Sequence, residues 1–209
     1  MKKIVAGLAI SVAVLGYLQT ASAAIPLSFA PETALYQISA DSTARLLDQA
    51  VAANARGAKA ETVKALQAGT TALEAEAKSS SGSFKDKLLG QVANLKKLLP
   101  LAQSGLLKGD ILQKAVSLAK TALGASQIEK LMGGGNLISK VSGLTSNLNL
   151  VKTGLSALGG SSASSGNSLV NTALSGLSKL GKGGVTAKAA EPAVKGQLDS
   201  VLGFVKGIL

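Results

Sequence analysis

The chain has 209 residues, 24 of them glycine, a formal net charge of +11, and no cysteine, histidine or tryptophan. That composition excludes disulfides, Cys/His metal sites, Cys–His nucleophile pairs and Ser-His-Asp triads. Aromatic residues amount to 2 %, so stacking platforms for bases or sugars are nearly lacking.

The first segment has the pattern of a targeting signal. Lys2 and Lys3 precede an uncharged, mostly apolar run from Ile4 to Leu18, and Ala21-Ser22-Ala23 fits a small-x-small cleavage site. Residues 1–23 are therefore expected to be a cleaved secretory signal, which places the mature chain in the periplasm, the cell envelope or outside the cell. The apolar run is short beside the ~20 residues a membrane-spanning helix needs. With no disulfide to staple it, the exported chain must draw its stability from buried Leu, Val, Ile and Ala.

Strand signals are scarce and helical spacing recurs, so the expected fold class is all-α, an antiparallel helical bundle. Pro26 and Pro31 make residues 25–30 extended. Pro31 and Glu32 suit a first helical turn. Leu35 and Ile38 open an apolar face that Leu46, Leu47 and Val51 continue, until Gly57 closes the helix near Ala55. A second helix is expected over residues 60–77, with a narrow seam of Val63, Leu66, Thr70, Leu73 and Ala77, and Glu74 and Lys78 paired at i,i+4.

Residues 79–83 form a Ser/Gly linker. Ser83 and Asp86 resemble a capping box before a third helix, which carries Phe84, Leu88, Leu89, Val92, Leu95, Leu98 and Leu99 and which Pro100 ends or kinks. Asp110 and Gln113 form a similar box before a fourth helix bearing Ile111, Leu112, Ala115, Val116, Ala119, Ala122 and Leu123. Lys114 and Lys120 lie off the centre of that stripe, and Gly124 suits its C-terminal stop. A short fifth helix then runs from Ser126 to the triple glycine at 133–135. These divisions give residues 24–132 as a compact bundle domain.

Past the triple glycine the texture becomes Leu/Gly/Ser/Lys-rich. Residues 133–209 are expected to be a partly mobile region of amphipathic helices, with a low-complexity break at 159–166. Residues 150–158 echo residues 169–177 at six of nine positions, too little to establish a repeat architecture. The last helix starts near Glu191-Pro192. Val194, Leu198, Val201, Leu202, Val205, Ile208 and Leu209 share one side of it, and Gly196, Gly203 and Gly207 share the other.

Charge is lopsided. Residues 24–80 carry six acids and five bases, whereas residues 81–209 carry five acids and fifteen lysines. A basic, non-aromatic surface favours anionic lipid, acidic polysaccharide or nucleic-acid phosphate, and also keeps a Leu-rich protein in solution. Both arginines, Arg45 and Arg56, lie in the first part. Lysine lacks the planar fork that reads base edges, so sequence-specific nucleic-acid recognition is not expected.

The remaining motifs are weak. Gly105–Gly109 and Gly203–Gly207 match a GxxxG spacing, but a lysine interrupts each. Ser117-Leu118-Ala119-Lys120 and Lys152-Thr153-Gly154 match fragments of the serine acyl-transfer signature of penicillin-interacting enzymes. Their separation is far too short, and no strand is predicted to present the second. Glu74 and Glu76 point in different directions on a helix, and no acidic run has calcium-loop spacing.

The expectation is an exported, non-enzymatic helical protein without cofactor or metal. It associates with an anionic membrane, an envelope polymer or a helical protein partner, and a homo-oligomer is compatible with it. Lys179, Lys182, Lys188, Lys195 and Lys206 are the expected anionic-surface contacts. Phe84, Val194, Leu198, Val201, Leu202, Phe204, Val205, Ile208 and Leu209 are the expected inserting side chains. The alternative is a periplasmic binding module with an apolar pocket between helices. The two differ in whether residues 133–209 pack on residues 24–132.

Overall fold

The structure is a computed structural model that describes residues 32–209, with side chains from Ala40 onward. The secretory signal expected at residues 1–23, the extended segment at 25–30 and the side chains of Leu35 and Ile38 lie outside the described residues. Seven α-helices follow one another: α1 Glu32–Ala55, α2 Lys59–Ser79, α3 Lys85–Ser104, α4 Gly109–Gly133, α5 Val141–Leu158, α6 Gly160–Leu180 and α7 Gly184–Ile208. A short 3-10 turn, Ile138–Lys140, precedes α5. The described residues contain no strand, and the protein is an all-α helical bundle.

The first two helices form as their patterns direct. Gly57 takes a left-handed conformation (φ 71°), which lets the chain reverse between α1 and α2. Along α2, Leu66, Thr70, Leu73 and Ala77 are buried and Val63 is half-buried against the same core. Lys78 pairs with Glu74 (2.8 Å) as the i,i+4 spacing requires.

Several expected helix ends do not occur. Pro100 neither ends α3 nor sits in its core. The helix continues to Ser104 and the proline is exposed, so water can serve the carbonyl one turn back that lacks its usual donor. Neither capping box forms. Ser83 Oγ and the Phe84 N–H both donate to Glu129 of α4, so α3 is capped by another helix. Asp110 lies inside α4, which begins at Gly109 with no side-chain cap. Gly124 does not stop α4 either, and the expected fourth and fifth helices are one helix of 25 residues.

Close packing of α5 explains Gly124. A Cβ there would meet the Asn147 carbonyl oxygen at 2.9 Å and Val151 Cγ2 at 2.9 Å. One turn away, a Cβ on Gly154 would strike Thr121 Oγ1 and meet the Ser117 carbonyl at 2.7 Å. Ser117, Thr121 and Gly124 on α4 thus face Asn147, Val151 and Gly154 on α5, both sets at spacings of four and three. Residues 121–128 are all buried, because α4 is flanked along its length. Lys120, expected off the apolar stripe, is buried as well. Its Nζ donates to both carboxylate oxygens of Asp48 on α1 (2.8 and 2.7 Å).

The expected low-complexity break at 159–166 is mostly helix. Gly159 and Gly160, both with positive φ, make the turn, and α6 runs from Gly160. Gly166 is buried where a Cβ would strike Phe204 and Leu155. The two echoing segments lie on α5 and α6, joined by that tight turn. Helix α7 begins at Gly184, seven residues before the expected start, with Pro192 exposed inside it.

Two hydrophobic clusters hold the bundle. One joins α1, α2, α3 and the first part of α4 around Leu47, Leu66, Leu73, Leu95, Leu112 and Leu123. The other joins α5, α6 and α7 around Leu144, Leu148, Leu155, Leu177 and Leu198, and includes Phe84, Ala125, Ile128 and Leu131. The second half therefore packs on the first, with α4 contributing to both cores.

Candidate functional site

The nine apolar residues expected to insert into a surface are instead packed inside. Phe84, Val194, Leu198, Val201, Leu202 and Val205 are buried, and Phe204, Ile208 and Leu209 are half-buried against the same cluster. The stripe on α7 is real, but α6 and the end of α4 cover it. In the folded bundle six of the nine are covered, and Phe204, Ile208 and Leu209 keep part of their surface exposed. No helix among the described residues is long and apolar enough to cross a membrane.

The expected lysines are placed differently. Lys179, Lys182, Lys188, Lys195 and Lys206 are all exposed. Lys179 and Lys182 lie at the C-terminal end of α6, where the helix dipole favours positive charge. Lys188, Lys195 and Lys206 fall seven and eleven residues apart on α7. At 3.6 residues per turn, the eighteen residues between the first and last make five whole turns, so the three share one line along the helix.

That line borders the C-terminal end of α4. Lys188 and Lys195 line a cleft of about 310 Å³ with Met132, Asn136, Leu137 and Glu191. Lys195 and Lys206 line one of about 340 Å³ with Glu129, Met132, Asp199 and Leu202. Lys195 and Met132 belong to both, so the clefts run together as one groove. Two of its carboxylates are committed to holding the fold. Glu191 accepts the Leu137 N–H (2.7 Å), and Glu129 accepts Ser83 and Phe84. Lys206 Nζ lies 4.0 Å from Glu129 and 5.3 Å from the Phe84 ring centroid, which ties α7 to the start of α3.

A second cleft, of about 620 Å³, opens on the other side of the α4 end, between Ser79, Ser81 and Gly82 and residues 127–134, with Lys140 on its rim. It was not foreseen from the sequence. Gln127 on its wall is buried, and its amide donates to Glu76 (2.9 Å), while its carbonyl oxygen has no hydrogen-bond partner. Lys140 Nζ donates to the Leu131 carbonyl (2.7 Å) and so caps α4. This cleft is open to solvent and mixes polar side chains with an apolar wall at Leu131.

The acyl-transfer fragments are packing elements. Ser117 and Lys120 are buried in α4, with the lysine held by Asp48, and Gly154 is the close-contact glycine of α5. Gly105 and Gly109 do not share a helix: the first closes α3 and the second opens α4. No protein-family model, curated protein or solved structure matches the chain.

Proposed function

We propose that the chain is an exported, non-enzymatic helical protein that attaches to an anionic surface through the ammonium groups of α6 and α7 while the bundle stays folded. The observation that carries this reading is the alignment of Lys188, Lys195 and Lys206 along a groove in which two of the three carboxylates, Glu129 and Glu191, are engaged in the fold and Asp199 alone stands beside the lysines. Lys179 and Lys182 extend the positive charge at the α6–α7 turn. Burial of the α7 apolar face removes insertion from the mechanism and leaves electrostatic contact. The shared chemistry of the partner is a dense array of phosphate or carboxylate groups, as on an envelope polymer or a lipid headgroup layer.

Each lysine near such a surface is worth about 1 kcal/mol. Replacing Lys188, Lys195 and Lys206 together by glutamine is therefore expected to weaken attachment by about 3 kcal/mol, roughly a hundredfold. Binding of the wild type and this variant to an immobilised linear polyanion, and to anionic and neutral vesicles, across a salt series is the direct test. Steep loss of wild-type binding with salt, reduced in the variant, supports the reading. A variant that binds every anionic partner as tightly as the wild type overturns it.

A further inference from the structure

Four large apolar side chains stand out to solvent among the described residues: Leu101 (38 % exposed), Leu106 (72 %), Ile111 (43 %) and Val185 (86 %). Three of them surround one turn, the α3–α4 connection. The backbone gathers them there. Gly105 adopts φ 76°, its N–H donates to the Ala102 carbonyl (3.2 Å), and the Leu106 N–H donates to the Leu101 carbonyl (2.9 Å). This is a Schellman closure, which sets the residues at positions 101 and 106 side by side. The next residue, Leu107, turns inward and is buried with Leu112, the spacing of a hydrophobic staple at the start of α4. With Leu107 and Leu112 committed to the core, Leu106 and Ile111 face outward.

Cations rim this tip. Lys59 lies over Gly105, so that a Cβ there would strike its Cε and Nζ. Lys97 sits one turn before Leu101, and Lys108 and Lys114 flank Ile111, all of them exposed. Between residues 97 and 114 the only acid is Asp110. The closure satisfies the Leu101 and Ala102 carbonyls and Lys108 O accepts the Leu112 N–H, while the first N–H groups of α4, which has no side-chain cap, stay at headgroup depth where water and headgroup oxygens can serve them.

We propose that the α3–α4 turn is a membrane-docking tip, in which Leu101, Leu106 and Ile111 enter the headgroup–acyl boundary of an anionic bilayer while Lys59, Lys97 and Lys108 remain among the headgroups. Charge complementarity selects the partner: apolar side chains ringed by ammonium groups match an anionic lipid surface. The tip is separate from the α7 groove. Lys206 stacks over Phe84 at the start of α3, and the 20 residues of α3 put the tip about 30 Å away. The inference therefore stands apart from the α7 reading.

The absence of tryptophan makes the test direct. A Leu106→Trp variant of the full chain carries one indole, as does a control with Ala93→Trp on the exposed side of α3. Both are mixed with vesicles of phosphatidylcholine plus phosphatidylglycerol and of phosphatidylcholine alone. The expected result is a blue shift of the indole at position 106 on the anionic vesicles alone, with none at position 93. Replacing Leu101, Leu106 and Ile111 by serine is expected to cut anionic-vesicle binding roughly tenfold or more. These sites are exposed, so an unchanged thermal melt shows that the fold is kept.

An unshifted indole at position 106 on vesicle-bound protein overturns the tip, as does an equal shift on neutral vesicles. A triple-serine variant that binds as wild type while the Lys188/Lys195/Lys206 glutamine variant does not overturns the tip and leaves the α7 reading standing. A shift at position 106 only when the chain self-associates assigns the patch to a protein interface and likewise overturns it.

Discussion

Gly154 and Gly203 both sit within helices, yet substitution should act in opposite directions. A Cβ at position 154 meets the Ser117 backbone at 2.7 Å, whereas one at position 203 meets nothing within 4 Å. Gly154→Ala is therefore expected to cost about 1–3 kcal/mol through forced separation of α4 and α5. Gly203→Ala, like Gly196→Ala on the same open side, is expected to gain up to about 1 kcal/mol from helix propensity. Thermal melts of the three variants check the signs. The Lys120–Asp48 pair gives a second contrast. Asp48→Ala leaves a buried ammonium without its carboxylate and should destabilise by about 1–3 kcal/mol, while Lys120→Met removes the charge with the need for a partner and should stay within about 1 kcal/mol of wild type. Urea titrations of both separate a structural ion pair from a merely tolerated one.

Between elements, Glu74 links α2 to α3. Hydrogen bonds from Lys78 and then Lys96 (2.6 Å from Glu74 Oε2), reinforced by their charges, hold its carboxyl down at about 2 from an ordinary 4.5. A depressed carboxylate contributes stability that is complete above the unfolded value and is lost as the pH falls toward the folded one. The stability difference between wild type and Glu74→Gln should therefore be constant above about pH 4.5 and shrink toward zero near pH 2. Urea midpoints measured across that interval check it, and high salt should shrink the difference at neutral pH as well. Element ends show why local signals failed. Gly124 and Pro100 are breakers by propensity, but a flanking helix needs the missing Cβ of one, and solvent tolerates the missing donor of the other.

For the whole molecule, the shared core makes the two halves interdependent. Ending the chain after Gly133 would uncover Ala125, Ile128 and Leu131, along with Phe84 and the α5-facing side of α4. Such a fragment is expected to bind a hydrophobic dye and aggregate more than the intact chain, read by fluorescence and light scattering. Residues 160–166 should resist limited proteolysis in the intact chain, because they are the opening turns of α6 with Gly166 wedged against Phe204 and Leu155. Cleavage there at the rate of the Gly133–Asn136 loop would contradict the packing.

The helical class, the seam of α2, the apolar side of α7 and the exposure of Lys179, Lys182, Lys188, Lys195 and Lys206 were legible in the linear pattern, because periodicity and charge are local properties of the chain. Only the tertiary structure decided what the greasy side of α7 faces, since a stripe at helical spacing is the same for a bilayer and for a neighbouring helix. Tertiary packing also made α4 one helix rather than two, closed the gap at 159–166, and turned Leu106 outward while Leu107 went in. Each of those outcomes depends on what another segment, distant in the chain, brings within a few ångströms, and no short window of residues carries that information.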